Sequence, residues 1–306
     1  MKCYRSLQEA ESVWKALSAP ARLRIMEILY EQEDKNLNEL ASELGLTNSA
    51  ITMHISKLEE ADLIEVQVVP GKRGNRKICR PKYSSLFFAL NQGEQKLKQK
   101  VYEDDIRIGY YTKCEVAPTC GISTAHSIIG ELDAPKYFRF PEHFEAEVLW
   151  FGHGFVEYQL PNHLKAGQRM TRMELSFEIS AECPGFCEDY PSDIHFYFNG
   201  ILLGVWISPG DFGSRRGRIT PDWWPDTCNQ YGLLKTLVIN EKGTFLDNGI
   251  QLGTVGIQDL RLDYTSSMEL RFAVPKDTKN CGGFTIFGRS FGDYAQGIRV
   301  KTFYEE

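Results

Sequence analysis

Two stretches of this 306-residue chain concentrate side chains able to do chemistry. In the first, Ile51, Ile55 and Leu58 recur at helical spacing and define an inward face, while Ser49, Thr52, Met53 and Ser56 fall on the opposite side. Small and slender groups of this kind let a helix sit deep in a DNA major groove. There hydroxyls hydrogen-bond base edges or phosphates, and a thioether meets a thymine methyl. Thr47, Asn48 and Lys57 extend the same candidate contact set, whereas Glu60 lies near the helix end, where base contact is less expected. Shortly afterwards Lys72, Arg73, Arg76, Lys77, Arg80 and Lys82 fall within eleven residues with no acid among them. Such a run suits phosphate contacts that weaken steeply with salt; the plainer alternative is a solvated basic loop.

The second stretch is SPGDFGSRRGRITPDWWPDTCNQYG, from Ser208 to Gly232. It is too long for an ordinary connection between strands, and such loops are often functional. Trp223, Trp224 and Tyr231 offer flat faces, Asp211, Asp222 and Asp226 accept hydrogen bonds, and Arg215, Arg216 and Arg218 donate them. A sugar, with one apolar face and a rim of hydroxyls, calls for that mixture. The alternative is that the tryptophans simply close the fold and the charges stand in solvent. Trp150 and Trp206 read as core residues.

Other chemistry is thinner. Cys183 and Cys187 have a spacing compatible with zinc, but Cys114, Cys120, Cys228 and Cys281 are scattered, so free thiols are expected and no metal or cofactor is assigned. His54 borders the apolar side of its helix and reads as a packing or phosphate-contact residue. There is no P-loop, nucleophile elbow or HExxH pattern, so the chain is not expected to be an enzyme. Paired carboxylates in the long loop leave a sugar-active enzyme as an alternative. A cysteine-based redox or metal response is another.

The elements that must position these groups change character along the chain. Apolar spacing predicts helices over Ser6–Leu17, Ala21–Tyr30, Leu37–Leu44 and from Thr47 to about Ala61, with Gly45 as a stop and Thr47 as an N-cap. Strands at Leu63–Val69 and Ile78–Arg80 flank the basic turn as a hairpin, and one further helix is expected from Ser84 to about Arg107. From about Tyr110 short alternating segments take over, among them Ala146–Phe151, Gly154–Leu160, Arg169–Ile179 and Leu260–Tyr264. Asn199-Gly200 marks a hairpin turn. Many short strands without intervening helices indicate an antiparallel, jelly-roll-like β-sandwich.

The net charge of −6 is unevenly divided. Residues 1–100 hold 16 Lys and Arg against 13 Asp and Glu, and the rest hold 19 against 28. DNA contact should therefore be confined to the first part. No apolar run approaches a membrane span and no secretory signal opens the chain, which points to the reducing cytoplasm.

The segment VWKALSAPARLRIMEIL, followed by LNELASELGLTNSAITMHISKLEEADLI, resembles the ArsR family of winged helix-turn-helix regulators over roughly residues 7–90. The resemblance implies a homodimer, with the first and last helices of the domain at its interface, that reads a palindromic operator. It also implies recognition positions at Ser49, Thr52, Met53 and Ser56 and a wing from Arg73 to Lys77. Metal-sensing relatives carry cysteines on the helix before the recognition helix, but here that helix reads NLNELASEL and has neither cysteine nor histidine. The expected organisation is an α+β multidomain chain: a winged helix-turn-helix over residues 1–90, a connecting or dimerisation helix over 91–112, and a β-sandwich over 113–306. The sandwich would sense a small-molecule effector; with its long loop it resembles a carbohydrate-binding module at the level of fold alone.

Overall fold

The computed structural model describes residues 2–4, 6–31, 35–71, 74–83, 86–88, 100–247 and 249–306. Contacts divide the chain into two units, Met1–Leu97 and Lys98–Glu306.

In the first unit, β1 (Lys2–Tyr4) is followed by α1 (Glu11–Leu17), α2 (Pro20–Glu31), β2 (Lys35–Asn36), α3 (Leu37–Leu44) and α4 (Asn48–Glu60). Then come β3 (Ile64–Gly71), β4 (Gly74–Pro81) and β5 (Leu86–Phe88). Local chemistry sets the helix ends. The Asn36 side chain accepts from the N–H groups of Asn38 and Glu39, and the Glu39 carboxylate returns the bond to the Asn36 N–H. Gly45 closes α3 in the left-handed region at φ 64°, and the Thr47 hydroxyl caps α4 through the Ala50 N–H. Each such cap is worth about 1 kcal/mol. Val13, Ile25, Ile28, Leu29, Leu40, Ile51, Ile55 and Leu58 form the core, each at most 3% exposed. Burying a side chain of this size stabilises by about 1.5–3 kcal/mol. β3 and β4 pair from Ile64↔Pro81 to Gly71↔Gly74 as the wing.

The helix expected from Ser84 to Arg107, and with it the connecting helix over 91–112, is corrected. Among the described residues, Leu86–Phe88 is a strand pairing in parallel with β1, and Lys100–Ile106 is a strand followed by a 3-10 turn at Ile108–Tyr110. The remainder of that span, 84–85 and 89–99, lies outside the described residues. The reason for the error is non-local. Lys100–Ile106 pairs with Ile298–Tyr304, about two hundred residues further on, and such a ladder overrides local propensity.

The second unit contains β6 (Lys100–Ile106), β7 (Tyr111–Ser123), β8 (Val148–Leu160), β9 (Arg169–Ser180), β10 (Ser192–Phe198) and β11 (Ile201–Ser208). It continues with β12 (Leu233–Asn240), β13 (Gly243–Leu246), β14 (Ile250–Gly253), β15 (Met268–Val274), β16 (Phe284–Phe287) and β17 (Ile298–Glu305). All the pairings are antiparallel, and they build two layers: β7-β8-β15-β10-β11 and β6-β17-β9-β12-β13-β14. β16 joins the layers by pairing with β8 on one side and β9 on the other. The chain is thus an α+β protein with a winged helix-turn-helix followed by an antiparallel β-sandwich. The two strands expected at Ala146–Phe151 and Gly154–Leu160 are one, β8. The strand expected at Leu260–Tyr264 is a series of turns, with Arg261 at φ 48°. Asn199 and Gly200 turn the β10–β11 hairpin at φ 47° and 77°.

Alternation along the strands makes two cores. Leu149, Phe151, Phe177, Phe196, Phe272 and Ile286 fill the space between the layers. Val148, Trp150 and Phe287, one step out of phase, point to the other face and pack with Trp224 and Phe291. The long loop after β11 therefore lies over this outer face.

Candidate nucleic-acid interface

Because Ile51, Ile55 and Leu58 are buried, the helical period turns Thr47, Asn48, Ser49, Thr52, Met53, Ser56 and Lys57 outward, and all seven are exposed. Met53 keeps 55% of its surface. The polar groups on this face make only short-range bonds. Thr52 donates to the Asn48 carbonyl at 2.8 Å, the Thr47 and Ser49 hydroxyls lie 3.0 Å apart, and Lys57 pairs with Glu60 at 2.6 Å. Such contacts exchange readily for a ligand, although the Lys57 charge is half-cancelled by the carboxylate one turn on. His54 is half-buried, and its Nδ1 has no hydrogen-bond partner among the described residues.

On the wing, Arg76 and Lys77 are exposed on β4, as is Arg80. Lys72 and Arg73 lie outside the described residues. Lys82 is drawn elsewhere: it binds Asp62 together with Lys2 and the Tyr83 hydroxyl. Lys2 first, then Lys82 and Tyr83, hold the Asp62 carboxyl well below the usual carboxylate range. Sequence reading missed this acid. Its one local mark is a left-handed φ of 59° just after α4, and only the fold brings Lys2 and Lys82 to it.

The second candidate set is not assembled in the same way. Asp211 is fully buried; it accepts from the Cys183 N–H at 3.2 Å, and burial pushes its carboxyl up to about 7. Trp224 is 4% exposed and stacks edge-on against Trp150 and Phe291, so it is a core residue and not a ligand platform. Arg215 binds both oxygens of Asp293, at 3.1 and 2.6 Å, and lies 3.7 Å from the ring centroid of Tyr231, which it covers. Arg216 donates to the carbonyls of Trp224 and Pro221 and pairs with Asp226. Of this set Trp223, Arg218, Asp222 and Asp226 face outward, Asp226 paired with Arg216. Trp223 is 38% exposed, its ring anchored by an indole N–H bond of 2.7 Å to the Ala125 carbonyl.

Beneath this loop are two acids that the sequence did not single out. Glu178 accepts from the N–H groups of Gly232, Asp293 and Tyr294, yet burial pushes it up to about 8. Glu182 accepts from Thr119, Asn229 and Thr285 and is also raised by burial. Glu178 occupies an outward position of β9, between the inward Phe177 and Ile179, so nothing local marks it as covered. Burial, reinforced by Asp211, pushes the Cys183 thiol up to about 12, which keeps it from the reactive thiolate form. Among the described residues no group of three or more His, Cys, Asp or Glu has the geometry to hold a metal ion.

Residues 19–66 match the family described as bacterial regulatory protein, arsR family. This span runs from the residue before α2 to the start of the wing. Within the first unit, residues 19–66 thus carry a helix-turn-helix segment that matches the arsR type. A related protein is the uncharacterized HTH-type transcriptional regulator MJ0229 of Methanocaldococcus jannaschii, 46% identical over 63 residues. The match covers 20% of this chain and 65% of that protein. Among solved structures, the CBM36-1 domain of a multidomain xylanase from the hindgut metagenome of Trinervitermes trinervoides aligns over 66% of this chain and 96% of its own. The TM-score is 0.30 and the identity 7%.

Proposed function

We propose that this protein is a transcriptional regulator that binds duplex DNA through α4 and the β3–β4 wing. One observation carries the reading: on the arsR-type unit, the whole outer face of α4 is exposed, with no other described element packed over it, while the wing presents Arg76 and Lys77 to solvent. Selection from a random duplex library by the full-length protein, followed by fluorescence anisotropy on the winner, tests it. We expect an inverted-repeat site and weaker, strongly salt-dependent binding to unrelated duplex, with a Kd on the order of 10⁻⁴–10⁻⁶ M at physiological salt. No retention of any duplex at low salt refutes the reading.

The regulator acts as a homodimer in this reading. Trp14 on α1 stacks on Phe88 of β5 at 4.1 Å yet keeps 40% of its surface, and Leu7 and Phe87 are exposed nearby in the chain. These side chains take the place of the helix pair first expected at the interface. Sedimentation of wild type and Leu7→Glu measures the point. The sandwich serves as the sensing part, and DNA as partner puts the site of action in the cytoplasm. Trp223 and Arg218 supply its outward-facing groups for a sugar effector. A ligand coupling of about 3 kcal/mol would change operator affinity roughly a hundredfold. A thermal-shift screen of mono- and oligosaccharides, with Trp223→Ala alongside, decides the effector class.

A further inference from the structure

The four strands that end the two layers of the sandwich are built in two ways. Among the described residues β6 pairs only with β17, β7 only with β8, β11 only with β10 and β14 only with β13. A free strand edge is a template for another chain, and natural sheets blunt it with charge, proline or a covering segment. β6 follows that rule with Lys100, Glu103, Asp104 and Asp105, and β7 with Lys113, Glu115 and Pro118. β11, ILLGVWIS, and β14, IQLG, hold no charged residue and no proline.

The two unguarded strands meet. They cross at Gly204, where a Cβ would stand 2.6 Å from the Leu252 Cβ, too close for any larger residue. Around this crossing the surface is apolar. Leu202, Val205 and Ile207 follow one another along the outer face of β11, opposite Tyr197, His195 and Asp193 of β10. Ile207 keeps 56% of its surface and Ile250, which opens β14, keeps 60%; Ile201 and Leu202 are exposed as well. The charges on the neighbouring strands are already engaged. Asp193 accepts from Thr278 at 2.8 Å and from the Asn280 side chain at 2.7 Å. Lys235 pairs with Asp247 at 2.8 Å while lying over the Trp206 ring. Burial holds His195 below the usual imidazole range.

An apolar flank without free charge narrows the choice of occupant. A different protein is usually steered and selected by complementary charge, and these strands offer none. A second copy of the same chain meets the flank across a twofold axis, so that each group faces the same set of groups. Any net charge there would oppose itself, and like charges set opposite one another destabilise a sheet contact. Two neutral, apolar strands satisfy that condition. We propose that β11 and β14 form a self-association surface on which two copies of this chain bury Ile201, Leu202, Ile207 and Ile250 against each other. The contact is independent of the DNA-binding reading. It gives the homodimer proposed above a second point of attachment, made by the sandwich.

The test is sedimentation of the full-length protein across micromolar concentrations, with amide exchange at residues 201–208 beside it. Ile207→Lys with Ile250→Lys puts like charges on both copies and should weaken association about a hundredfold or more. Leu7→Glu, which removes the first-unit contact, should still associate, and adding the two lysines to it should leave a monomer. Val101→Lys makes the same change at an exposed aliphatic of the guarded strand β6 and should shift association less than about twofold. Exchange at 201–208 should slow as wild-type concentration rises and should not do so in Ile207→Lys/Ile250→Lys. Coincident melting curves in dilute solution separate these effects from misfolding, as expected at exposed positions.

If Leu7→Glu alone is monomeric, or Ile207→Lys/Ile250→Lys associates as tightly as wild type, the flank is not a self-contact and the homodimer rests on the first unit alone. If wild type is monomeric at every concentration, the flank contact and the homodimer both fall, while DNA binding is untouched. Slow exchange at 201–208 that does not depend on concentration means that the chain covers its own flank, and it overturns the assignment to a second copy.

Discussion

The outer face of α4 and the loop from Ser208 to Gly232 both attract notice as clusters of polar and bulky side chains, yet the fold treats them in opposite ways. On α4, Ser49, Thr52, Met53 and Ser56 stay exposed and their bonds reach no further than a helical turn. In the loop, Trp224 fills a core, Arg215 is clamped to Asp293, and Arg216 ties two stretches of backbone together. A helix with one buried stripe has no choice about its other face, because the 3.6-residue period dictates it. A loop has no period, and its donors are as free to bind the protein as to bind a ligand.

The contrast can be broken by mutation, and the largest effect belongs to the loop. Trp224→Ala should destabilise the sandwich by about 3–5 kcal/mol, read by calorimetry, since it empties a core position between Trp150 and Phe291. An unchanged melting temperature would return Trp224 to the surface. Arg215→Ala should follow at about 1–3 kcal/mol, because it leaves the Asp293 carboxylate, 8% exposed, without its charged partner.

The buried acids sharpen the comparison through pH. Burial raises Glu178 to about 8 and Asp211 to about 7, above their ordinary values of 4.5 and 3.8. The folded protein then holds more protons than the unfolded chain between about pH 4 and 8, so stability falls as pH rises through that window and levels off above it. The melting temperature at pH 8.5 should therefore lie below that at pH 5, with a smaller drop in Glu178→Gln. A melting temperature that climbs over this range contradicts the assignment.

Effects in the first unit should be smaller. Asp62→Ala should cost less than about 1 kcal/mol despite its three partners, since side chains this exposed are screened by water. Denaturant titration measures it. Thr52→Ala and Met53→Ala should leave stability within about 0.5 kcal/mol while weakening duplex binding several-fold. A large stability loss from either would show that α4 is committed to packing and not to a partner.

How much of this was legible in advance depended on the range of the interactions. Asn36, Gly45 and Thr47 announce helix ends because caps act within three residues. The buried stripe Ile51, Ile55, Leu58 fixes the exposed face of α4 by spacing alone. Lys100–Ile106 reads as helix until Ile298–Tyr304 is laid beside it. Glu178 reads as a surface acid until Gly232, Asp293 and Tyr294 close over it. The hollow that Asn38 of α3 and Arg76 of β4 line together is equally invisible, since the two residues stand 38 positions apart in the chain.

Local periodicity and capping by themselves determined that the chain opens with a helix-turn-helix bearing a slender outer face and continues as antiparallel sheet. Only the tertiary structure decided which polar groups remain available. Availability depends on whether a distant segment supplies a partner or covers the group, and the free energy of that choice lies in contacts that no short window of sequence contains.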